Sequence, residues 1–131
     1  MGQPVVGWIE HHARRTPDRV ALVDIHRARQ LTHRELADRV RAPAWALAER
    51  HGVRAGDRVV VLSRNAIRVV EVLYAGALIG AVAVPLNWRL TTRELTDISR
   101  EVARFPRSLV LSGLRVDAAV QVGLRENAAH A

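Results

Sequence analysis

The residues able to do chemistry are few and oddly assorted. Adjacent His11-His12 is the first metal-ligand candidate. Neighbouring side chains on a helix point about 100° apart, whereas two ligands on one face need i, i+4 spacing. Flanked by Arg14 and Arg15, the pair reads as a solvated helix face. His26, His33, His51 and His130 fall at turns or ends, with no carboxylate at a ligand spacing. Gly52-x-x-x-Gly56-Asp57 lacks the Lys and hydroxyl of a phosphate loop and precedes a strand instead of following one, so it reads as a turn. No G-x-S-x-G elbow occurs, and with no cysteine there is no thiol nucleophile, disulfide or Cys-based zinc site. All 20 basic side chains are Arg, which leaves no amine to act as a tunable base or Schiff-base former. On these grounds no catalytic, cofactor-binding or metal residue is assigned. Two loops remain, Ser63-Arg64-Asn65 and Asn87-Trp88-Arg89. Each follows a strand of the kind whose carboxyl end carries ligands in open α/β sheets. Locally, Asn65 is expected to cap the following helix and Asn87 to serve its turn.

The elements that would position these loops follow from hydrophobic period and caps. Pro4 to Arg15 reads as a short helix ended by Thr16-Pro17. "RVALVDI" and "QLT", joined by a turn at His26 to Arg29, predict an antiparallel hairpin. Thr32-x-x-Glu35 is a capping box opening a helix that runs to about Arg50, with Leu36, Val40, Ala44 and Leu47 on its apolar face and Gly52 closing it. Pro43 sits inside that helix as a misfit. Val59 to Leu62 is unbroken apolar sequence, which indicates a strand covered on both faces, as in a parallel sheet. Ala66 to Ile79 is an apolar helix, and Val82 to Leu86 a second buried strand, which together make a βαβ unit. Thr91-x-x-Glu94 is a second capping box, with Leu95, Ile98 and Val102 as the buried stripe of its helix. "SLVLS" suggests a third strand. From Gly113 the chain reads as a frayed tail or loose helix.

Length and composition agree with this α/β layout. The 131 residues are 49% hydrophobic and 25% charged, the balance of one folded domain. The net charge of +7 comes from Arg scattered singly among Asp and Glu, which argues against a nucleic-acid partner. The stretch Val69 to Leu86 carries Glu71 and Pro85 and falls short of the roughly 20 apolar residues of a spanning helix, so no membrane span is expected. With no signal peptide in residues 1–15, the expected location is cytoplasmic.

Five segments in order, "RTPDRVALVD", "LTHRELADRV", "GVRAGDRVVVLSRN", "VVEVLYAGALIGAVAVPLN" and "RLTTREL", resemble the start of the adenylate-forming superfamily, the AMP-binding acyl-CoA synthetases or AMP-dependent ligases. The resemblance runs from about Val5 to Ala103. It implies the opening of a large N-terminal domain with a hairpin and a partial layered sheet: residues 1–104 as a partial AMP-binding subdomain, and 105–131 as a diverged, frayed tail. For the intact family it implies ATP-dependent activation of a carboxylic acid to an acyl-adenylate and then an acyl-CoA, with ATP, Mg and coenzyme A as cofactors and a place in fatty acid metabolism. The family's phosphate loop and catalytic Lys match nothing in these residues. The leading expectation is therefore a truncated ligase-like chain, inactive and binding no cofactor alone, that self-associates or meets a complementary ligase chain through Ala66–Ile79 and the sheet edge. A non-catalytic binding or complementation module is the alternative, and a small basic nucleic-acid binder the weaker one.

Overall fold

The computed structural model describes residues 6–102, 104, 108–115 and 118–122. Helix α1 (Val6–Arg15) leads into strands β1 (Val20–Asp24) and β2 (Arg29–Thr32), followed by α2 (His33–Trp45). Then come β3 (Arg58–Leu62), α3 (Ile67–Leu78), β4 (Val82–Leu86), α4 (Thr92–Val102), β5 (Ser108–Arg115) and β6 (Ala118–Val122).

The hairpin forms as expected, with Val23 opposite Gln30 and Asp24 opposite Arg29 in an antiparallel pair. Its turn holds Ala28 at φ 48°, a left-handed conformation that a side chain disfavours. Removing that Cβ offsets the greater freedom glycine has in the unfolded chain. Ala28→Gly is accordingly expected to stabilise the protein by about 0.5 kcal/mol, read as a rise in the urea midpoint at unchanged slope.

The Thr32 capping box is complete: the Glu35 amide donates to the Thr32 hydroxyl at 3.3 Å, and the Thr32 amide donates to the Glu35 carboxylate at 2.8 Å. α2 passes through Pro43 and runs on as one π-helical turn over Ala46–Arg50. Gly52, at φ 64°, then reverses the chain so that the Val53 amide reaches the Leu47 carbonyl at 2.9 Å. The helical run to Arg50 and the Gly52 stop are thus both observed, with the last turn wider than an α-helix.

The larger sheet has the order β4-β3-β5-β6. β3 lies at its centre, parallel to β4 with Val60 beside Val84 and parallel to β5 with Val60 beside Val110. Val59, Val60 and Val61 are buried, as a strand covered on both faces requires. Leu36, Val40, Ala44, Leu47, Val53, Val59, Val61, Val72 and Ala75 form one core in which α2 and α3 lie on the sheet. A Cβ at Gly76 would stand 3.8 Å from the Ala83 Cβ, an ordinary van der Waals distance, so α3 packs directly on β4 at this point.

Three expectations are corrected. β4 is an edge strand, with Val82 43% exposed, because nothing pairs with its outer side among the described residues. α4 buries none of its residues; Leu95, Ile98 and Val102 are only half-buried, since no second layer lies over that helix among the described residues. Within Ala66–Ile79, Ile67, Glu71, Val72, Ala75 and Gly76 pack inside the domain, while Leu78 stays 38% exposed. Finally, the segment after Gly113 continues β5 to Arg115, and β6 then pairs antiparallel to it instead of forming a loose helix. The rest of the expected tail, residues 123–131, lies outside the described residues.

Candidate functional site

The register Leu62 beside Leu86 brings the ends of β3 and β4 level, so the two loops singled out above emerge side by side. Arg64 places its guanidinium 4.6 Å from the Trp88 ring centroid, and that of Arg89 lies 5.1 Å from the same ring. Trp88 remains 43% exposed, so this cation–π cluster faces outward at the carboxyl edge of the parallel strands.

The local structure that holds the cluster is legible residue by residue. The Arg89 amide donates to Asn87 Oδ1 at 3.0 Å and the Leu90 amide to the Asn87 carbonyl at 3.2 Å, which makes Asn87 the turn residue expected of it. Thr91 and Glu94 then close the second capping box, the Thr91 amide donating to the carboxylate at 2.8 Å and the Glu94 amide to the Thr91 hydroxyl at 3.3 Å. The hydrogen bonds from the Thr91 backbone and then its hydroxyl hold the Glu94 carboxyl below its ordinary range. On the other loop the Ser63 hydroxyl donates to the Arg64 carbonyl at 3.1 Å. The expected Asn65 cap is not made. Ala66 occupies the cap position of α3 and offers no side-chain hydrogen bond, because the chain stays extended one residue further than the Asn.

Chemically, this edge presents two guanidinium groups, each able to pair with an anion. The cluster was invisible to spacing arguments, since Arg64 and Trp88 meet only after two strands align. The one sequence signal was that both loops end adjacent parallel strands. The remaining candidates go elsewhere. Gly56 at φ 86° and the Asp57 carboxylate, accepting from the Arg54 amide at 2.7 Å, complete the expected turn. His12 touches His11 on one side and His33 on the other at the α1–α2 corner, far in sequence from either loop, and among the described residues no three His, Cys, Asp or Glu side chains are arranged to hold a metal ion. His130 lies outside the described residues.

A sheet built as β4-β3-β5 with its ligand-capable edge at these loops can be set beside known proteins. A model of the AMP-binding enzyme family matches residues 9–105. The chain belongs to that family. The 2-succinylbenzoate–CoA ligase of Oceanobacillus iheyensis is 34% identical over 97 residues, which are 74% of this chain and 20% of that protein. The 3-oxocholest-4-en-26-oate–CoA ligase of Rhodococcus rhodochrous is 35% identical over 98 residues, 75% of this chain and 17% of the ligase. Among solved structures, the inhibitor-bound N-terminal domain of FACL13 from Mycobacterium tuberculosis superposes with a TM-score of 0.75 at 27% identity, covering 86% of this chain and 27% of that domain. The chain therefore spans about a fifth of the length of the curated ligases it matches. Among its described residues no helix is long and apolar enough to cross a membrane.

Proposed function

We propose that this chain supplies the opening sheet-and-helix layer of an adenylate-forming CoA ligase and has no adenylating activity by itself. In the reaction of such a ligase a carboxylate oxygen attacks the α-phosphorus of ATP, pyrophosphate leaves, and the thiol of coenzyme A then displaces AMP from the acyl-adenylate. The observation that carries the reading is the buried parallel β3, flanked by β4 and β5, in a fold shared with the FACL13 N-terminal domain over 86% of the chain. What this segment offers such chemistry is an edge with Arg64 and Arg89 on Trp88, whose guanidinium groups suit a phosphate or another anionic group. It offers no lysine, and its described residues hold no cluster of three acidic or histidine side chains to seat a magnesium ion. On this reading residues 1–104 are the family subdomain and 105–131 a diverged extension. ATP- and CoA-dependent chemistry fits a cytoplasmic location.

The test is a graft. Residues 9–105 replace the matching segment of the Oceanobacillus iheyensis ligase, and acid-dependent ATP–pyrophosphate exchange is measured. A folded graft is expected to retain exchange within about tenfold of the parent, a barrier change of about 1.4 kcal/mol. The isolated chain is expected to show none above background. A folded graft slowed by more than about a thousandfold, or exchange catalysed by the chain alone, contradicts the proposal.

A further inference from the structure

The corner where α1 meets α2 contains a histidine pair that neither the sheet scaffold nor the loop cluster uses. His12, in the last turn of α1, and His33, the first residue of α2, stack with ring centroids 5.1 Å apart and planes 25° from parallel. His11 meets His12 edge-on at 5.4 Å. The connection between the helices is pinned at the same corner. The Thr16 amide donates to the His12 carbonyl at 2.8 Å, the His33 amide to the Arg19 carbonyl at 3.0 Å, and the Arg34 amide to the Pro17 carbonyl at 3.1 Å. Beyond this corner, α1 is held by Ile9 against the core and by an exposed Glu10–Arg41 pair at 3.5 Å.

The charges around the stack are mostly committed elsewhere. On α1, Glu10 answers Arg41, and Arg14 and Arg15 add positive charge to the last turn. On α2, Arg34 pairs with Asp18 at 3.3 Å, Glu35 accepts from the Thr32 amide, Asp38 pairs with Arg41 at 3.2 Å, and Arg39 pairs with Glu71. Arg19 acts on His33 as a further positive neighbour. Each of these carboxylates already has another partner. One proton on the stack is tolerable, because a cation over a neutral ring is attractive. A second proton sets two like charges against each other, with the His33 charge also at the unfavourable amino end of α2.

We propose that the His12–His33 stack is a proton-sensitive latch, holding α1 on α2 while His33 is neutral and releasing α1 when both rings are protonated. Release would uncover the surface of Ala37, Val40, Tyr74 and Leu78 that faces Ile9. Burial, then the charges of His12 and Arg19, hold the His33 imidazole below its ordinary value of 6.5, in accord with this arrangement. A group whose folded value is depressed takes up its proton on opening. The latch is therefore complete above about 6.5, the unperturbed value, and weakens as pH falls below it.

The test is amide hydrogen exchange on the full chain between about pH 7.5 and about pH 5, corrected for intrinsic exchange. The opening constant of α1 and residues 16–19 is expected to rise towards tenfold per pH unit below about 6.5, the limit for one proton per opening. Protection of β3 is expected to stay constant. His33→Gln should flatten the dependence and His12→Gln should weaken it, whereas His26→Gln, in the hairpin turn, should leave it intact. Imidazole titration by NMR supplies a readout without substitution: His33 should titrate below its ordinary value. An α1 protection factor that ignores pH, a dependence that survives His33→Gln, or a His33 imidazole that titrates at or above its ordinary value overturns the latch. The last measurement decides the matter if a variant does not fold.

Discussion

Arg39→Ala is expected to destabilise the protein by about 3–5 kcal/mol, the range for breaking a buried ion pair on one side. Glu71 lies on α3 with only 3% of its surface exposed, and its carboxylate is held by the Arg39 guanidinium from α2. Deleting Arg39 leaves a charge among apolar side chains, where it must either stay unpaired or take up a proton. The reciprocal change should cost less. The Arg39 side chain is 31% exposed against 4% for Glu71, so an abandoned guanidinium can turn to water while an abandoned carboxylate cannot. Glu71→Ala is therefore expected to cost roughly half as much, and Arg39→Met with Glu71→Leu to recover most of the loss, as apolar replacements of buried pairs do. Urea unfolding of the two single variants and the double variant checks this. Equal losses from the two single substitutions, or a double variant no better than Arg39→Ala, would show that the pair does not bind α2 to α3 as described.

Pro43→Ala is expected to stabilise the chain by about 2 kcal/mol. A proline inside a helix costs about 3 kcal/mol through the lost hydrogen bond and the clash with the preceding turn. Part of that is offset because proline also restricts the unfolded chain, by up to about 1 kcal/mol. α2 runs through Pro43 without ending, because Leu36, Ala37, Val40, Ala44 and, in the following turn, Leu47 are all buried and tie both halves to the core. Packing thus overrides a strong local penalty, and the penalty should be recoverable. Thermal unfolding of Pro43→Ala is the measurement. A melting temperature unchanged or lowered would mean that the π-helical turn over Ala46–Arg50 depends on the proline.

Much of the architecture could be read from short-range patterns. Thr32 with Glu35 and Thr91 with Glu94 mark two helix starts because a capping box is complete within four residues. The unbroken Val59–Leu62 run marks a strand covered on both sides, and β3 is central. The same local logic misplaced Asn65, where one more extended residue moved the cap to Ala66. It also assigned burial to α4 from amphipathic spacing alone. Periodicity says which face of a helix is apolar, but whether anything covers that face depends on other segments.

The sequence by itself determined the α/β class, the order of elements through α4, both capping boxes and the family to which residues 9–105 belong. Each of these rests on residues within a turn or a strand of one another, or on their order along the chain. Only the tertiary structure decided that β5 pairs with the other side of β3, that β6 completes the sheet, that Arg39 finds Glu71, and that Arg64 and Arg89 share Trp88. Those contacts join segments far apart in the chain, and they form only when apolar burial has brought the segments together. No residue carries a local mark of the partner it will meet there.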